Sequence, residues 1–326
     1  MKSAKLALTN KSVLITGGAG FIGSHLIERI IVDNPKDVVV IDNFFLGSEF
    51  NLIQAIKLFP ELRIIRMDAS NFAAVQDIVK KFNVEIVFDL ATVPLPTSLE
   101  YPNWTLQTIV GIASTMSEIA RMGLIESLVH LSSSEAYGSA QYVPMDESHP
   151  NNASTPYAAG KASADLIIES YIKTFNIDAT IIRPFNNFGP RQNQGSYAGI
   201  IPITINNVIK GKPINIFGDG TQTRDFMFVT HTADLIVRLF NQEIAHQDVW
   251  NLGSGVETSI NDLVGSILRV MGKSDHKISY LPPRHGDVKR HCADISKIKN
   301  LLEIDSPAIT DRQIEETVEW YARNSK

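Results

Sequence analysis

The sequence predicts an α/β fold, in which a doubly wound parallel sheet is joined to a smaller C-terminal α/β domain. Three observations predict it. In the first 180 residues, six short β-branched runs alternate with longer amphipathic stretches, which is the pattern of βαβ units. A glycine-rich segment follows the first run directly. Prolines and glycine turns become frequent after residue 183, which indicates a change of architecture there.

Each apolar run is short, rich in Val and Ile, and bounded by polar or turn residues, which predicts buried strands. The predicted strands are 12–16, 37–41, 62–66, 85–88, 127–131 and 179–182. The stretches between them carry apolar residues at helical spacing and are long enough to connect parallel strands. The predicted crossover helices are 22–32, 73–82, 105–122 and 158–175.

The division into domains is predicted to fall near residue 183. We expect the sheet in residues 1–183, with a return of the chain to it around 216–250, and a smaller domain mainly in 184–326. No repeat, low-complexity tract or linker separates the two parts of the sequence. In open parallel sheets, ligands bind outside the carboxyl ends of the strands, so the functional site is expected at that edge.

Composition excludes several classes of function. The chain has 326 residues, 30 Lys and Arg against 35 Asp and Glu, and no basic excess of the kind that binds nucleic acid. Cys292 is the single cysteine, which excludes an intrachain disulfide and favours a reducing, cytoplasmic compartment. Residues 1–10 lack the apolar core of a signal peptide, and no segment approaches the ~18 apolar residues of a membrane span. His285, His291 and Cys292 match no zinc spacing, so no metal is expected.

A phosphate-binding loop is predicted where the first strand ends. Gly17, Gly20 and Gly23 recur at three-residue spacing before the next helix. Glycines there permit a tight turn, the approach of backbone amides to a pyrophosphate, and close helix–strand packing, while the helix N-terminus favours anions. Asp42 ends the second strand about 20 positions later, where a carboxylate binds the adenosine ribose hydroxyls. Because Asp42 would repel a 2′-phosphate, the pattern favours NAD over NADP.

Residues 16–23, TGGAGFIG, followed by IDN at 41–43, resemble the extended short-chain dehydrogenase/reductase family that modifies nucleotide sugars. The resemblance implies a Rossmann-type fold and NAD as cofactor. MDAS at 67–70 is similar to the family segment whose acid contacts adenine, and LAT at 90–92 to its Leu-Ala-Ala segment, with Asp89 in place of the usual His. The implied cofactor-binding residues are Gly17, Gly20, Phe21, Ile22, Gly23, Asp42, Asn43, Asp68, Ala69, Leu90, Ala91, Tyr157 and Lys161.

Tyr157 and Lys161 lie four residues apart, which on a helix places both side chains on one face. A phenol with a pKa of ~10 is a poor base, but a nearby ammonium and a nicotinium cation both favour the phenolate. In the family that this chain resembles, such a Tyr is the catalytic base and the Lys also holds the nicotinamide ribose. Ser133, in LSSSEAYG at 131–138, resembles the family's Ser or Thr that hydrogen-bonds the substrate's C4 hydroxyl.

The resemblance implies transient oxidation at C4. Tyr157 removes the C4 hydroxyl proton as hydride passes from C4 to NAD, and the ketone then acidifies the C5 proton. Glu135 favours a 4,6-dehydratase, with Glu135 as the base at C5 and Ser134 helping the C6 hydroxyl to leave. Dehydratases of the dTDP-glucose type have Asp where this chain has Ser134, whereas the GDP-mannose type and the UDP-glucuronate decarboxylases have Thr-Ser-Glu.

Several alternatives stay open beside dehydration. Without a base at C5, the ketone would rotate and be reduced from its other face, which is 4-epimerisation of a UDP-glucose or UDP-glucuronate type. Decarboxylation of a UDP-glucuronate and an oxidase that stops at the 4-keto sugar are two more. A different class is an NAD(H)-sensing regulator without chemistry. It is disfavoured because Ser133, Tyr157 and Lys161 are all retained.

The second half of the chain resembles the family's substrate-binding segments, and the implied partner is a nucleotide-diphosphate sugar. RPFNNFGPRQ at 183–192 contains Asn186, which matches an Asn that hydrogen-bonds the sugar or its phosphate, and also Arg191. GDGTQTRDF at 218–226 contains Arg224, which matches an Arg that reaches the diphosphate. PPRHGDV at 282–288 adds Arg284 and Asp287. Guanidinium groups suit a pyrophosphate because their planar fork donates two hydrogen bonds at once.

A homodimer is also expected. The predicted helices at 105–122 and 158–175 carry more apolar residues than one buried face requires. In the family that the chain resembles, the matching helices of two subunits form the dimer interface, with the same surface contributed by each copy.

Overall fold

The structure is a computed structural model that describes residues 8–195, 198–283 and 288–324. In this part of the chain the main sheet has seven strands: β1 (Ser12–Thr16), β2 (Asp37–Asp42), β3 (Arg63–Arg66), β4 (Ile86–Asp89), β5 (Ser127–Leu131), β6 (Ala179–Pro184) and β10 (Val249–Leu252). Their order is β10-β6-β5-β4-β1-β2-β3, and every neighbouring pair is parallel. The doubly wound, Rossmann-type fold is therefore confirmed.

The remaining strands form two small sheets. A three-stranded sheet has the order β11-β9-β7, and a parallel pair joins β12 to β8. The five strands are β7 (Asn186–Phe188), β8 (Ile214–Phe217), β9 (Thr223–Phe228), β11 (Glu257–Ser259) and β12 (Ile278–Leu281). Together with three helices they enclose a hydrophobic core of their own, which includes Phe188, Ile205 and Leu263.

Helices cover both faces of the main sheet and the smaller sheets. The helices are α1 (Phe21–Ile31), α2 (Ile53–Leu58), α3 (Phe72–Lys81), α4 (Leu95–Glu100), α5 (Pro102–Arg121), α6 (Pro156–Phe175), α7 (Ile200–Ile209), α8 (Val229–Phe240), α9 (Ile260–Val270), α10 (Ser296–Leu302) and α11 (Asp311–Asn324). Short 3-10 turns occupy Glu49–Leu52, Ser134–Tyr137 and Glu243–Ala245. Of the described helices, none combines the length and the apolar character needed to cross a bilayer.

Alternating strand residues divide the interior of the larger domain into two cores. On one face of the sheet, residues such as Ile15 and Phe88 pack with Leu26 of α1 and Ile236 of α8. On the other face, Leu14 and its neighbours pack against α3, α5 and α6. Burial on both faces explains why these strands are continuous Val- and Ile-rich runs rather than alternating ones.

The predicted crossover helices are present, and two of them begin a few residues earlier than predicted. Pro102 and Pro156 each open a helix, because a first-turn residue has no intrahelical partner for its N–H and the fixed φ of proline suits that position. The hydroxyl of Thr155 caps α6 by accepting a hydrogen bond from the Ala158 amide. α6 ends at Phe175, and the capping residue that follows, Asn176, takes the left-handed conformation.

The six predicted strands are present within two residues of their predicted ends, but β10 was not predicted. Its sequence, VWNL, is short and includes a polar residue, Asn251, which is buried and accepts a hydrogen bond from the Tyr137 hydroxyl at 2.7 Å. Helix α8 packs on the same face of the main sheet as α1, and β10 pairs with β6. The chain therefore returns to the main sheet after its first segment in the smaller sheets. The domain boundaries near residue 183 stay a prediction.

Candidate active site

A cleft of about 440 Å³ runs along the carboxyl ends of β1, β2, β4 and β5, and the segment after β6 also lines it. Its volume is within the usual range for small-molecule sites. Eleven of the residues expected to bind the cofactor lie outside helix α6, and all eleven line the cleft: Gly17, Gly20, Phe21, Ile22, Gly23, Asp42, Asn43, Asp68, Ala69, Leu90 and Ala91. Ser133, Tyr157, Lys161, Asn186 and Arg191 line the same cleft.

The glycine-rich loop is packed too closely to accept side chains. Gly17 has φ +65°, and a Cβ there would lie 2.8 Å from the Ala91 nitrogen. A Cβ on Gly23 would lie 2.3 Å from the Gly17 carbonyl oxygen, so Gly23 allows α1 to pack directly on the loop. Gly20 precedes α1, and no side chain caps the first turn of this helix. The bare helix N-terminus at a cleft is suited to a phosphate-bearing ligand such as a dinucleotide.

Two carboxylates, those of Asp42 and Asp68, line the part of the cleft that is expected to bind the cofactor. Asp42 ends β2 and accepts hydrogen bonds from the Ala19 amide at 3.0 Å and the Phe44 amide at 2.8 Å. Burial raises the pKa of Asp42, while these two amide hydrogen bonds act to lower it. Asp68, beyond the end of β3, accepts hydrogen bonds from the amide and hydroxyl of Ser70.

Sequence reasoning missed the turn at 45–47, which also lines the cleft beside Asp42. Phe45 contacts Trp104 of α5 edge to face, with ring centroids 5.1 Å apart. The signal available in the sequence was the apolar run FFL within NFFLG at 43–47. This segment follows a strand, where the sequence would ordinarily be polar.

The residues expected to act at C4 lie together. Tyr157 and Lys161 are one turn apart on α6, and the Ser133 hydroxyl is hydrogen-bonded to Tyr157. Ser133 also begins the 3-10 turn after β5, and its Oγ accepts a hydrogen bond from the Glu135 amide at 3.2 Å. The Lys161 ammonium is buried and donates to the Leu131 carbonyl oxygen at 2.7 Å. The end of β5 therefore fixes both Ser133 and Lys161 beside the phenol.

Burial determines the protonation of this cluster. It raises the pKa of Tyr157 to about 12, with Glu135 and Asp165 acting in the same direction and the Ser133 hydrogen bond opposing them. Burial lowers the pKa of Lys161, whereas the negative charges of Asp89 and Asp165 raise it. The phenol is thus held protonated in this state, and a further positive charge in the cleft would favour the phenolate.

Ser134 and Glu135 belong to the same turn but are not among the described residues that line the cleft. Ser134 is buried, and its backbone is hydrogen-bonded to the ring of His291, a contact that sequence reasoning missed. Burial and the charge of Arg224 together lower the pKa of His291 to about 4, while the hydrogen bond to the Ser134 backbone acts to raise it. Glu135 is half-buried and lies close enough to Tyr157 to raise its pKa.

The candidate substrate residues are placed differently from one another. Asn186 lines the cleft at the start of β7. Arg191 lines it too, but its guanidinium forms a two-point ion pair with Glu28 of α1, at 2.8 and 2.9 Å. Arg224 is not a lining residue; it donates to the Thr223 and Val288 carbonyl oxygens. Arg284 and Asp287 lie outside the described residues.

Comparison with known proteins identifies the family of this chain. The model of the NAD-dependent epimerase/dehydratase family matches residues 13–253. The chain belongs to this family. A UDP-glucose 4-epimerase of Mycolicibacterium smegmatis is 31% identical over 315 residues, which cover 96% of this chain and 99% of the relative. The chain is therefore an enzyme of the epimerase/dehydratase family.

Solved structures of family members show the same fold. The UDP-N-acetylglucosamine 4-epimerase of Methanobrevibacter ruminantium, in complex with UDP-N-acetylmuramic acid, is 33% identical, has a TM-score of 0.89, and is matched over 97% of this chain and 99% of its own. DesIV of Streptomyces venezuelae, a dTDP-glucose 4,6-dehydratase with NAD and TYD bound, is 26% identical with a TM-score of 0.88 over 96% and 97% of the two chains. The family is NAD-dependent, and NAD is the cofactor of this chain.

Replacing Gly23 with alanine should impair NAD binding, because the added Cβ would meet the Gly17 carbonyl and push α1 away from the loop. We expect the NAD dissociation constant of Gly23→Ala, measured by calorimetry, to rise at least about tenfold, which is about 1.4 kcal/mol.

The matched control is Gly265→Ala on the exposed face of helix α9, where a Cβ meets nothing within 4 Å. This variant should bind NAD normally and have a free energy of unfolding higher by about 0.5–1 kcal/mol. Normal NAD affinity in folded Gly23→Ala would contradict this account of the loop.

Proposed function

We propose that this enzyme oxidises C4 of a nucleotide-diphosphate sugar transiently and uses the ketone to remove water between C5 and C6. The observation that carries the C4 step is the meeting of Ser133, Tyr157 and Lys161 at the end of β5, inside the cleft that the expected cofactor-binding residues line. The observation that favours dehydration is Glu135, a carboxylate held by the turn that begins at Ser133.

Tyr157 takes the proton from the C4 hydroxyl and returns it later in the cycle. NAD, when bound, supplies the acceptor for the C4 hydride, and its positive charge favours the phenolate form of Tyr157. Lys161 adds a second positive charge one helical turn away, and Ser133 positions the hydroxyl by hydrogen bonding. Positive charge is needed because burial, together with the charges of Glu135 and Asp165, raises the pKa of Tyr157 to about 12.

Glu135 acts after the ketone has formed. The carbonyl at C4 acidifies the C5 proton, which passes to Glu135. The C6–O bond then breaks, and Glu135 gives its proton to the departing oxygen, which leaves as water. Ser134 donates a hydrogen bond to the departing oxygen. The hydride removed from C4 is then added at C6 and a proton is added at C5, so the net change is the loss of one water and the formation of a 4-keto-6-deoxy sugar.

The second candidate is 4-epimerisation, which two observations favour. The relatives of this chain include a UDP-glucose 4-epimerase and a UDP-N-acetylglucosamine 4-epimerase, at 31% and 33% identity. Ser134 and Glu135 also do not line the described cleft. If no base reaches C5, the ketone turns over in the site and is reduced from its opposite face, again with Tyr157 handling the proton.

Substrate recognition is assigned to the segment after β6 and to the second domain. We propose that Asn186 hydrogen-bonds the sugar or its phosphate, and that Arg224 and Arg284 bind the nucleotide diphosphate, with Asp287 in the same substrate-binding segment as Arg284. Arg191 is proposed to act at the same site, where its ion pair with Glu28 ties the substrate segment to the helix that begins at the phosphate loop.

Loss of the Tyr157 hydroxyl should abolish turnover and spare cofactor binding. General acid–base catalysis contributes about 10²- to 10⁴-fold, so kcat of Tyr157→Phe should fall by that factor in a coupled or mass-spectrometric assay. The control is Tyr171→Phe on the same helix, where the hydroxyl contacts Glu118 instead of the cleft. Undiminished turnover by Tyr157→Phe would show that the proposed proton transfer is wrong.

Heavy water separates the two candidate reactions. A panel of UDP, GDP, dTDP and CDP sugars is incubated in heavy water, and the products are analysed by mass spectrometry and NMR. Dehydration predicts the loss of one water mass with deuterium at C5, whereas epimerisation predicts unchanged mass, inverted C4 and no deuterium.

Glu135→Gln tests the base at C5 in the same assay. The variant should still reduce bound NAD with substrate but lose dehydration about 10²- to 10⁴-fold, because an amide cannot accept the C5 proton. Glu169→Gln, on the surface of α6, is the matched control. Full dehydration by Glu135→Gln would assign the C5 base to another group.

We also propose that two copies associate through α5 and α6. These helices pack on one another and expose apolar side chains, including Trp104, Leu166 and Phe175. Light scattering of the purified enzyme should give the mass of two chains, and Leu166→Glu should reduce it, because a buried charge in an apolar interface is unfavourable. The mass of a single chain for the unmodified enzyme would contradict the proposal.

A further inference from the structure

A buried acid–imidazole pair lies directly beneath the active site. Asp89, the last residue of β4, and His130, on the adjacent strand β5, are partners in the sheet register and are almost completely buried. The Asp89 Oδ2 lies 2.8 Å from His130 Nδ1, and its Oδ1 accepts a hydrogen bond from the Thr16 hydroxyl at 2.6 Å. Asp89 occupies the position where the family segment carries His, so the acid is a feature of this chain.

Both members of the pair are joined to groups that line the cleft. The Thr16 hydroxyl oxygen accepts hydrogen bonds from the amides of Leu90 and Ala91, each at 3.1 Å. Leu131, the residue after His130, offers the carbonyl oxygen that receives the Lys161 ammonium. The pair is therefore held between the backbone that follows β4 and the carbonyl group that fixes Lys161.

Among the described residues, Asp89 has no Lys or Arg partner at ion-pair distance, and its ion-pair partner is His130. The hydrogen bond to Asp89 needs one ring N–H of His130, and His130 Nε2 has no hydrogen-bond partner among the described residues. If the His130 ring is neutral, Nε2 has only a lone pair without a partner. If the ring is an imidazolium, Nε2 carries an N–H that is buried without an acceptor, which is unfavourable. The other buried carboxylate near Lys161, Asp165, differs because Arg183 neutralises it at 2.8 Å.

We propose that Asp89, oriented by His130, is a positioning residue that supplies the negative charge holding Lys161 as an ammonium beside Tyr157. This inference rests on the proposed role of Tyr157 as the base at C4. Among the described residues, the charges of Asp89 on β4 and Asp165 on α6 act on Lys161, and those of Glu135 in the 3-10 turn and Asp165 act on Tyr157. His130 on β5 is the partner of Asp89, and Arg183 on β6 is the partner of Asp165.

Asp89→Asn tests the proposal because it removes the charge and keeps the shape. Without the carboxylate the pKa of Lys161 falls, the ammonium is lost at lower pH, and the pKa of Tyr157 rises. The acidic limb of the plot of kcat against pH should therefore move to higher pH by about 0.5 to 1 unit. The KM for the nucleotide sugar should stay unchanged within about twofold.

The control variant changes a second acid–imidazole pair, and the rescue variant restores a buried carboxylate at the original pair. Asp178 and His246 form a similar pair, at 2.9 Å, beside the amino end of β6 and so at the opposite edge of the sheet. Asp178→Asn should keep the pH profile of the unmodified enzyme. The exchange Asp89→His with His130→Asp restores a buried carboxylate and should return the profile toward the original.

A folded Asp89→Asn variant with an unshifted profile would overturn the proposal. If Asp89→Asn does not fold, the exchanged double variant decides: an unshifted profile supports the charge role, and a profile displaced to higher pH contradicts it.

A second readout does not need turnover. The phenolate of Tyr157 is titrated by ultraviolet difference absorbance in the NAD complex, with Tyr157→Phe as the blank. Asp89→Asn should raise the titration midpoint in the same way. If no nucleotide sugar reacts, the proposed function fails, while this titration still supports or rejects the role of Asp89.

Discussion

The position of β1 between β2 and β4 is the constraint on which the rest of the site depends. The connections on the two sides of β1 run in opposite directions along the sheet, so the carboxyl ends of β1 and β4 open a gap instead of being covered by a crossover. The glycine-rich loop fills one side of this gap and the turn after β5 fills the other. Gly23 permits this because a larger residue would separate α1 from the loop.

Buried charge gives the site its chemical character. A buried ammonium is unfavourable unless nearby charges and hydrogen bonds compensate it, and Lys161 has both in Asp89 and the Leu131 carbonyl. Asp165 is balanced in turn by Arg183, whose guanidinium lies over the Tyr137 ring at 4.7 Å. Removing one partner of such a buried pair typically costs about 3–5 kcal/mol, because the remaining charge is left buried and uncompensated.

The parts that the sequence predicted are those with a local signal. Six strands were predictable because short, continuous Val- and Ile-rich runs between turn residues are typical of buried parallel strands. The loop at Gly17 was predictable because turn geometry fixes its glycine spacing. β10 was missed because a four-residue strand in a proline- and glycine-rich half has too short a pattern. The pairing of Asp89 with His130, 41 residues apart, has no local signal at all.

By itself the sequence determined the fold class, the glycine-rich loop, the preference for NAD and the Tyr157–Lys161 pair, because each follows from a short period or motif along the chain. Only the tertiary structure decided how deeply Lys161 is buried, that Arg191 is paired with Glu28, and that His291 contacts the backbone of Ser134. The reason is physical. Burial and ion pairing depend on which distant segments the sheet register brings together, and those contacts set the pKa values on which the chemistry depends.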